Sequence, residues 1–73
     1  AEKAAEDAKA HLQQLAAGLL RTGESNFAQQ KYSAAIENAK AALQINPDDQ
    51  RARRLLRRAQ QAQKQAMSEI IIH

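Results

Sequence analysis

The sequence predicts an all-α domain of three helices, long, short and long. Ala, Gln, Leu, Lys, Arg and Glu dominate and valine is absent; all six are good helix formers. Apolar residues recur at steps of three and four, and no strand-like alternation runs for more than a few residues. Two short stretches interrupt this pattern, one around residues 29–33 and one at Asn46-Pro47.

The first helix is expected from about Glu2 to about Gln29. Ala8, Leu12, Leu15, Leu19, Thr22/Gly23 and Phe27 step along one face. Glu2, Glu6 and Asp7 fall in the first turns, where the helix dipole favours negative charge. Gly18 and Gly23 each weaken a helix interior by about 1 kcal/mol relative to Ala. Glycine is usually tolerated at such a position because a neighbouring backbone comes close. The break is placed within Gln29–Ser33, with Lys31 and Ser33 as candidate caps.

The second helix runs from about Ser33 to Ile45, with Tyr32, Ala35, Ile36, Ala39, Ala42 and Leu43 on one face. Asn46-Pro47 stops it, because the residue before proline is pushed out of the α region. Pro47 can open the third helix, with Asp48 and Asp49 placing acid at its N-terminus. That helix carries Ala52, Leu55, Leu56, Ala59, Ala62, Ala66, Met67 and Ile70 on one face.

Of 73 residues 32 are hydrophobic, but 17 of those are alanine. The large apolar side chains are seven Leu, five Ile and one each of Met, Phe and Tyr. A domain below roughly 80 residues buries a small core and is marginal without disulfides, metal or a partner. There is no cysteine, so neither a disulfide framework nor a thiolate zinc site is available. Absence of cysteine fits cytoplasm and periplasm alike. No apolar run reaches the length of a membrane span, and no signal-peptide pattern is visible. A chain that begins with Ala1 rather than Met is expected to be a processed product or an excised piece of a longer one.

The net charge of +3 is unevenly spread. Residues 1–31 are neutral overall, residues 32–50 sum to −2 and residues 51–73 to +5. Five arginines lie within Arg51–Arg58. On a helical wheel Arg51, Arg54 and Arg58 form one stripe, and Arg53 with Arg57 a second, straddling the side opposite Ala52, Leu55, Leu56 and Ala59. Such a cluster is either a solvated helix face or a site for an acidic partner. Arginines in the first turns of a helix oppose its dipole; Asp48 and Asp49 can offset this through spacings such as Asp49 with Arg53.

Catalysis finds little support. His11 and His73 are far apart and in no metal-ligand spacing. Thr22, Ser25, Tyr32, Ser33 and Ser68 have no histidine and acid at suggestive positions. No glycine-rich phosphate loop exists, since both glycines lie within a helical pattern. The expectation is a non-enzymatic chain with no cofactor and no metal.

The middle of the chain has a specific spacing: Leu19, Gly23, Phe27, Tyr32, Ala35, Ile36, Ala42, Leu43, Ile45 and Pro47. This resembles a tetratricopeptide repeat over Ala16–Asp49, at the 34-residue length of that family. The resemblance implies that Gly23, Ala35 and Ala42 occupy the small-residue positions where two helices pack closest. It sets residues 1–15 as an N-terminal extension and residues 50–73 as a capping-type basic helix. Thr22, Asn26 and Ala39 depart from the family's larger residues, which implies a thin interhelical core. The resemblance also implies a groove, with Leu20, Glu24 and Phe27 on one wall and Arg51, Arg54 and Arg58 on the other. Groove binding of a peptide or partner helix, acidic here, is the function it implies. The family's lysine–asparagine carboxylate clamp is not reproduced, because Leu20 and Glu24 stand at its first-repeat positions.

Helix lengths impose two overhangs at opposite ends. One shows Ala5, Ala8 and Leu12, and the other Ala66, Met67, Ile70, Ile71 and Ile72. Exposed contiguous apolar patches usually mark interaction sites, so Leu12, Met67, Ile70 and Ile71 are candidates for a homo-oligomer interface. A frayed C-terminus, or a short strand adding to a partner's sheet, are the other readings of the three isoleucines. Nucleic acid is a weaker rival partner, with only Phe27 and Tyr32 for stacking and no recognition motif.

Overall fold

The computed structural model describes the backbone of residues 2–72 and the side chains of residues 7–68. It has three helices: α1 (Glu2–Ala28), α2 (Tyr32–Ile45) and α3 (Gln50–Ile72). α2 runs back along α1, and α3 runs forward again on the other side of α2; α1 and α3 touch each other less than either touches α2. All three expected elements are present, with ends within three residues of the expected places.

The first turn explains one of those shifts. The Gln30 amide donates to the Phe27 carbonyl at 3.0 Å and the Lys31 amide to the Asn26 carbonyl at 2.8 Å. Gln30 has φ 64°, so this is a Schellman ending with a left-handed residue at its hinge. Lys31 takes the N-cap position of α2 but makes no side-chain capping bond. Ser33 does not cap either. It lies inside α2, and its Oγ accepts a 2.6 Å hydrogen bond from Gln63 Nε2 across to α3.

The second turn shows that Asn46-Pro47-Asp48-Asp49 is a connection, so α3 opens at Gln50 rather than at Pro47. Asn46 Oδ1 accepts from the Asp48 amide at 3.2 Å, and the Asp49 amide closes the turn onto the Asn46 carbonyl at 3.1 Å. Asp49 Oδ1 then accepts from the amides of Arg51 (3.0 Å) and Ala52 (3.2 Å), which makes Asp49 the N-cap of α3. The expected Asp49–Arg53 pair therefore gives way, because the Asp49 carboxylate is committed to two backbone donors. Arg53 instead reaches Asp48 at 4.0 Å and donates from Nε to the Pro47 carbonyl at 3.1 Å. Asp49→Ala should cost about 1 kcal/mol in thermal or denaturant unfolding, whereas Asp48→Ala, which loses one exposed contact, should cost less than half of that.

The core is small and alanine-rich. Buried hydrophobic residues are Ala16, Leu20, Ala35, Ile36, Ala39, Ala42, Ala52, Leu55 and Ala59, so only three large side chains are among them. Leu19, Phe27, Leu43, Ile45 and Leu56 pack against its edges half-buried. Alanine lets the helices approach closely, and Gly23 takes this furthest. A Cβ built on Gly23 would lie 2.8 Å from Leu55 Cδ2 and 3.0 Å from Asn38 Cβ. Gly18 is the opposite case. Nothing lies within 4 Å of its Cβ position, so the close approach expected there is absent. Asn26, where a larger residue was the implied family preference, donates from Nδ2 to Asn38 Oδ1 at 2.8 Å and ties α1 to α2 through a half-buried polar pair.

The molecule measures 60 × 19 × 13 Å with a radius of gyration of 15.0 Å. A compact chain of this length would have about 11 Å. At ~1.5 Å rise per residue α1 is about 40 Å long, so an extent of 60 Å requires α1 and α3 to overshoot α2 at opposite ends. The exposed large hydrophobics, Leu12, Leu15 and Met67, all lie on the overshooting parts. α3 remains helical to Ile72, and no strand occurs among the described residues. The side chains of Ile70 and Ile71 lie outside those described. No helix among the described residues is long and apolar enough to cross a membrane.

Candidate functional site: the groove between α1 and α3

Because α2 packs on one side of both long helices, α1 and α3 leave a groove on the other. Its basic half is lined by Glu24 from α1 and by Arg51, Arg54, Leu55 and Arg58 from α3, around a cleft of about 360 Å³. The three arginines recur at i, i+3 and i+7 and so share one face of α3. Arg53 and Arg57 line a separate shallow cleft with Leu56 and Gln60, as the two-stripe pattern requires.

The arginines are not equivalent. Arg51 Nη2 is paired with Glu24 Oε1 across the groove. Both side chains are about half exposed, so this pair contributes under about 1 kcal/mol, but it does neutralise Arg51. Arg58 places its guanidinium carbon 5.4 Å from the centre of the Phe27 ring, a cation–π contact. Phe27 in turn meets Tyr32 edge-on, with centroids 5.6 Å apart and planes at 62°. Among the described residues, neither Arg54 nor Arg58 has a carboxylate within ion-pair distance. Two positive charges without counter-charge therefore stand on one wall.

Of the groove residues named from the sequence, Glu24, Arg51, Arg54 and Arg58 come together, and Phe27 adjoins them under Arg58. Leu20 does not line the cleft of Arg54 and Arg58. It is only 3% exposed and belongs to the core, reaching the surface at the floor of a neighbouring cleft. That cleft, of about 490 Å³, is lined by Leu12, Ala16, Ala17, Leu20, Ile45 and Arg51 among others. It sits in the angle where α1 overshoots the α2–α3 turn. Lys9, Gln13, Asn46 and Asp49 complete its lining, and Arg51 borders both clefts.

Sequence reasoning assigned Leu12 to an oligomer interface and missed Ala16, Ala17 and Ile45. A signal was available for the alanines, since Ala16 and Ala17 lie four and three residues before Leu20 on its own stripe. Ile45 carried none, because its place depends on where the turn after α2 points. Met67 is 56% exposed on the other overhang and takes no part in the groove. Among the described residues no group of three or more His, Cys, Asp or Glu could hold a metal ion.

No protein-family model, no curated protein and no solved structure matches this chain.

Proposed function

We propose that this chain is a non-enzymatic protein-interaction module, a scaffold or adaptor domain built on one tetratricopeptide-like hairpin, whose α1–α3 groove binds an acidic segment of another protein. The carrying observation is the pair Arg54 and Arg58, which stand in a cleft with no carboxylate within ion-pair distance among the described residues, while Glu24 pairs with Arg51. The close packing at Gly23 and the complete burial of Ala35 and Ala42 support the hairpin part of this reading.

The reading is tested by titrating the chain with a fluorescein-labelled oligoglutamate peptide at low and physiological salt. Binding should weaken as salt rises, because exposed charges are screened over about 8–10 Å. Arg54→Glu with Arg58→Glu should reduce affinity by about 100-fold, since each contact turns from attraction to repulsion, with helicity unchanged because both side chains are exposed. Equal binding by the variant would overturn the assignment.

A second reading has one observation of its own: Leu12, Leu15 and Met67 are exposed on the two overhangs. In that reading the module self-associates, and polar replacement at Leu15 and Met67 would lower its molar mass in solution while charge reversal at Arg54 and Arg58 would not.

A further inference from the structure

The solvent face of α3 is chemically uniform. From Gln50 to Gln65 every exposed residue is arginine, lysine or glutamine, and no acid interrupts the run. We infer that this face binds duplex DNA, with α3 lying in the major groove, cations on both of its flanks and glutamine along its crest. The inference goes beyond the acidic-segment reading and does not rest on it. Arg54 and Arg58 are shared with the cleft beside α1, but Arg53, Arg57 and Lys64 lie outside that cleft.

The cations are of the type that phosphate recognition uses. Residues 1–49 carry four lysines and one arginine, whereas residues 51–58 carry five arginines and no lysine. Solvation alone is served by either side chain. Arginine adds a planar fork that holds phosphate oxygens bidentately. The cluster is also kept against a local cost, because it begins in the first turn of α3, where the helix dipole disfavours positive charge. Arg51 is paired with Glu24, and Arg53 reaches Asp48 only at 4.0 Å. Among the described residues Arg54, Arg57 and Arg58 have no carboxylate within ion-pair distance.

Their arrangement matches a groove with a phosphate strand on each side. Ala52, Leu55 and Ala59 are buried in the core. At about 100° per residue, the line directly opposite them is held by Gln50 and Gln61. Arg53, Arg57 and Lys64 form the row on one side of that crest, and Arg54 with Arg58 the row on the other. A helix about 10–12 Å across fills a B-DNA major groove about 12 Å wide. Each row then falls beside one strand, while the crest meets the base edges, where glutamine can pair with adenine. Arg53 to Lys64 spans about 16 Å, or about five base pairs.

Other polyanions fit this face less well. The major groove of duplex RNA is too deep and narrow for side chains to read. Single strands are held on aromatic platforms, yet Phe27 lies under Arg58 and meets Tyr32 edge-on, away from the crest. A membrane surface would need the apolar stripe of α3, which is buried.

The test is the fluorescence anisotropy of a labelled DNA duplex of about 16 base pairs. The chain should bind it at about 50 mM salt, and the five cations of the two rows should give a slope of log K against log salt of about −4.5. Arg53→Gln with Arg57→Gln, both exposed and outside the cleft, should reduce that slope by about two. The same variant should bind the duplex at least about 10-fold more weakly, with helicity unchanged and oligoglutamate binding at physiological salt within about 3-fold of the parent. A duplex RNA of the same sequence should bind at least about 10-fold more weakly than the DNA, and so should a DNA duplex whose thymines carry bulky C5 groups that fill the major groove. No binding of the plain duplex at about 50 mM salt overturns the inference and leaves the acidic-segment reading standing. Equal binding of the RNA or of the C5-substituted duplex overturns it too, since the face would then be a polyanion surface without a groove. An unchanged salt slope in the double variant overturns it as well.

Discussion

Gly23→Val should unfold most of the population at room temperature. The first carbon of any side chain there would meet Leu55 Cδ2 at 2.8 Å and Asn38 Cβ at 3.0 Å. Leu55 can swing, but Asn38 Cβ is fixed to its backbone, so α2 must move away from α1. Overpacking of this kind costs about 1–3 kcal/mol with one added methylene and more with a branched group. A chain of this size has only about 3–5 kcal/mol to lose. Gly18→Ala is the matched control. With no neighbour within 4 Å, it keeps the helix-propensity gain of about 0.5–1 kcal/mol and should raise the melting temperature. Circular dichroism melts of the two variants beside the parent check both signs, and the account fails if they move the same way.

Leu55→Ala should cost about 3 kcal/mol, the second large effect. Leu55 is one of three large side chains in the core, and it also forms the inner edge of the arginine cleft. Its removal leaves a void that the surrounding alanines cannot fill. The same substitution makes room beside Gly23, so Gly23→Ala should be tolerated better in the Leu55→Ala background than alone. Residues in contact commonly couple by about 0.5–3 kcal/mol, and a double-mutant cycle in urea should return a coupling of that size. Additivity would mean that the contact between α3 and Gly23 is not made.

These two residues also show what was legible in the sequence. The three helices and their approximate limits were, because alanine, glutamine and arginine runs have no competing pattern and Asn46-Pro47 punctuates them. The thinness of the core followed from the alanine count. The roles of the glycines were only half legible. Gly18 and Gly23 are five residues apart, which turns them about 140° around a helix, so one face of α1 cannot present both to α2. Asp49 was legible as an acid near a helix start but not as its cap, since one carboxylate at that place can serve either the backbone or Arg53. Choosing between them needed the turn geometry set by Asn46.

For the site, the two arginine stripes could be read from spacing alone, and they separate into two clefts. The place of Leu20 could not. Whether a leucine on the α1 stripe is a wall or a floor depends on how closely the other helices settle on it, and Leu20 is buried in a cluster with Ala39 and Ala42 of α2 and Ala52 of α3. The larger cleft has a similar origin. It exists because α2 ends at Ile45, short of the start of α1, so that the turn behind it makes a corner with the exposed part of α1.

The central claim is that the α1–α3 face is where another protein binds. An amide-resolved NMR titration with the oligoglutamate peptide tests it most directly. The account predicts shifts concentrated at Glu24, Arg51, Arg54 and Arg58, with Lys40 on α2 and Met67 near the end of α3 unmoved. Shifts centred on Met67, or spectra that change with protein concentration alone while the groove amides stay still, would contradict it and assign the overhangs, not the groove, as the working surface.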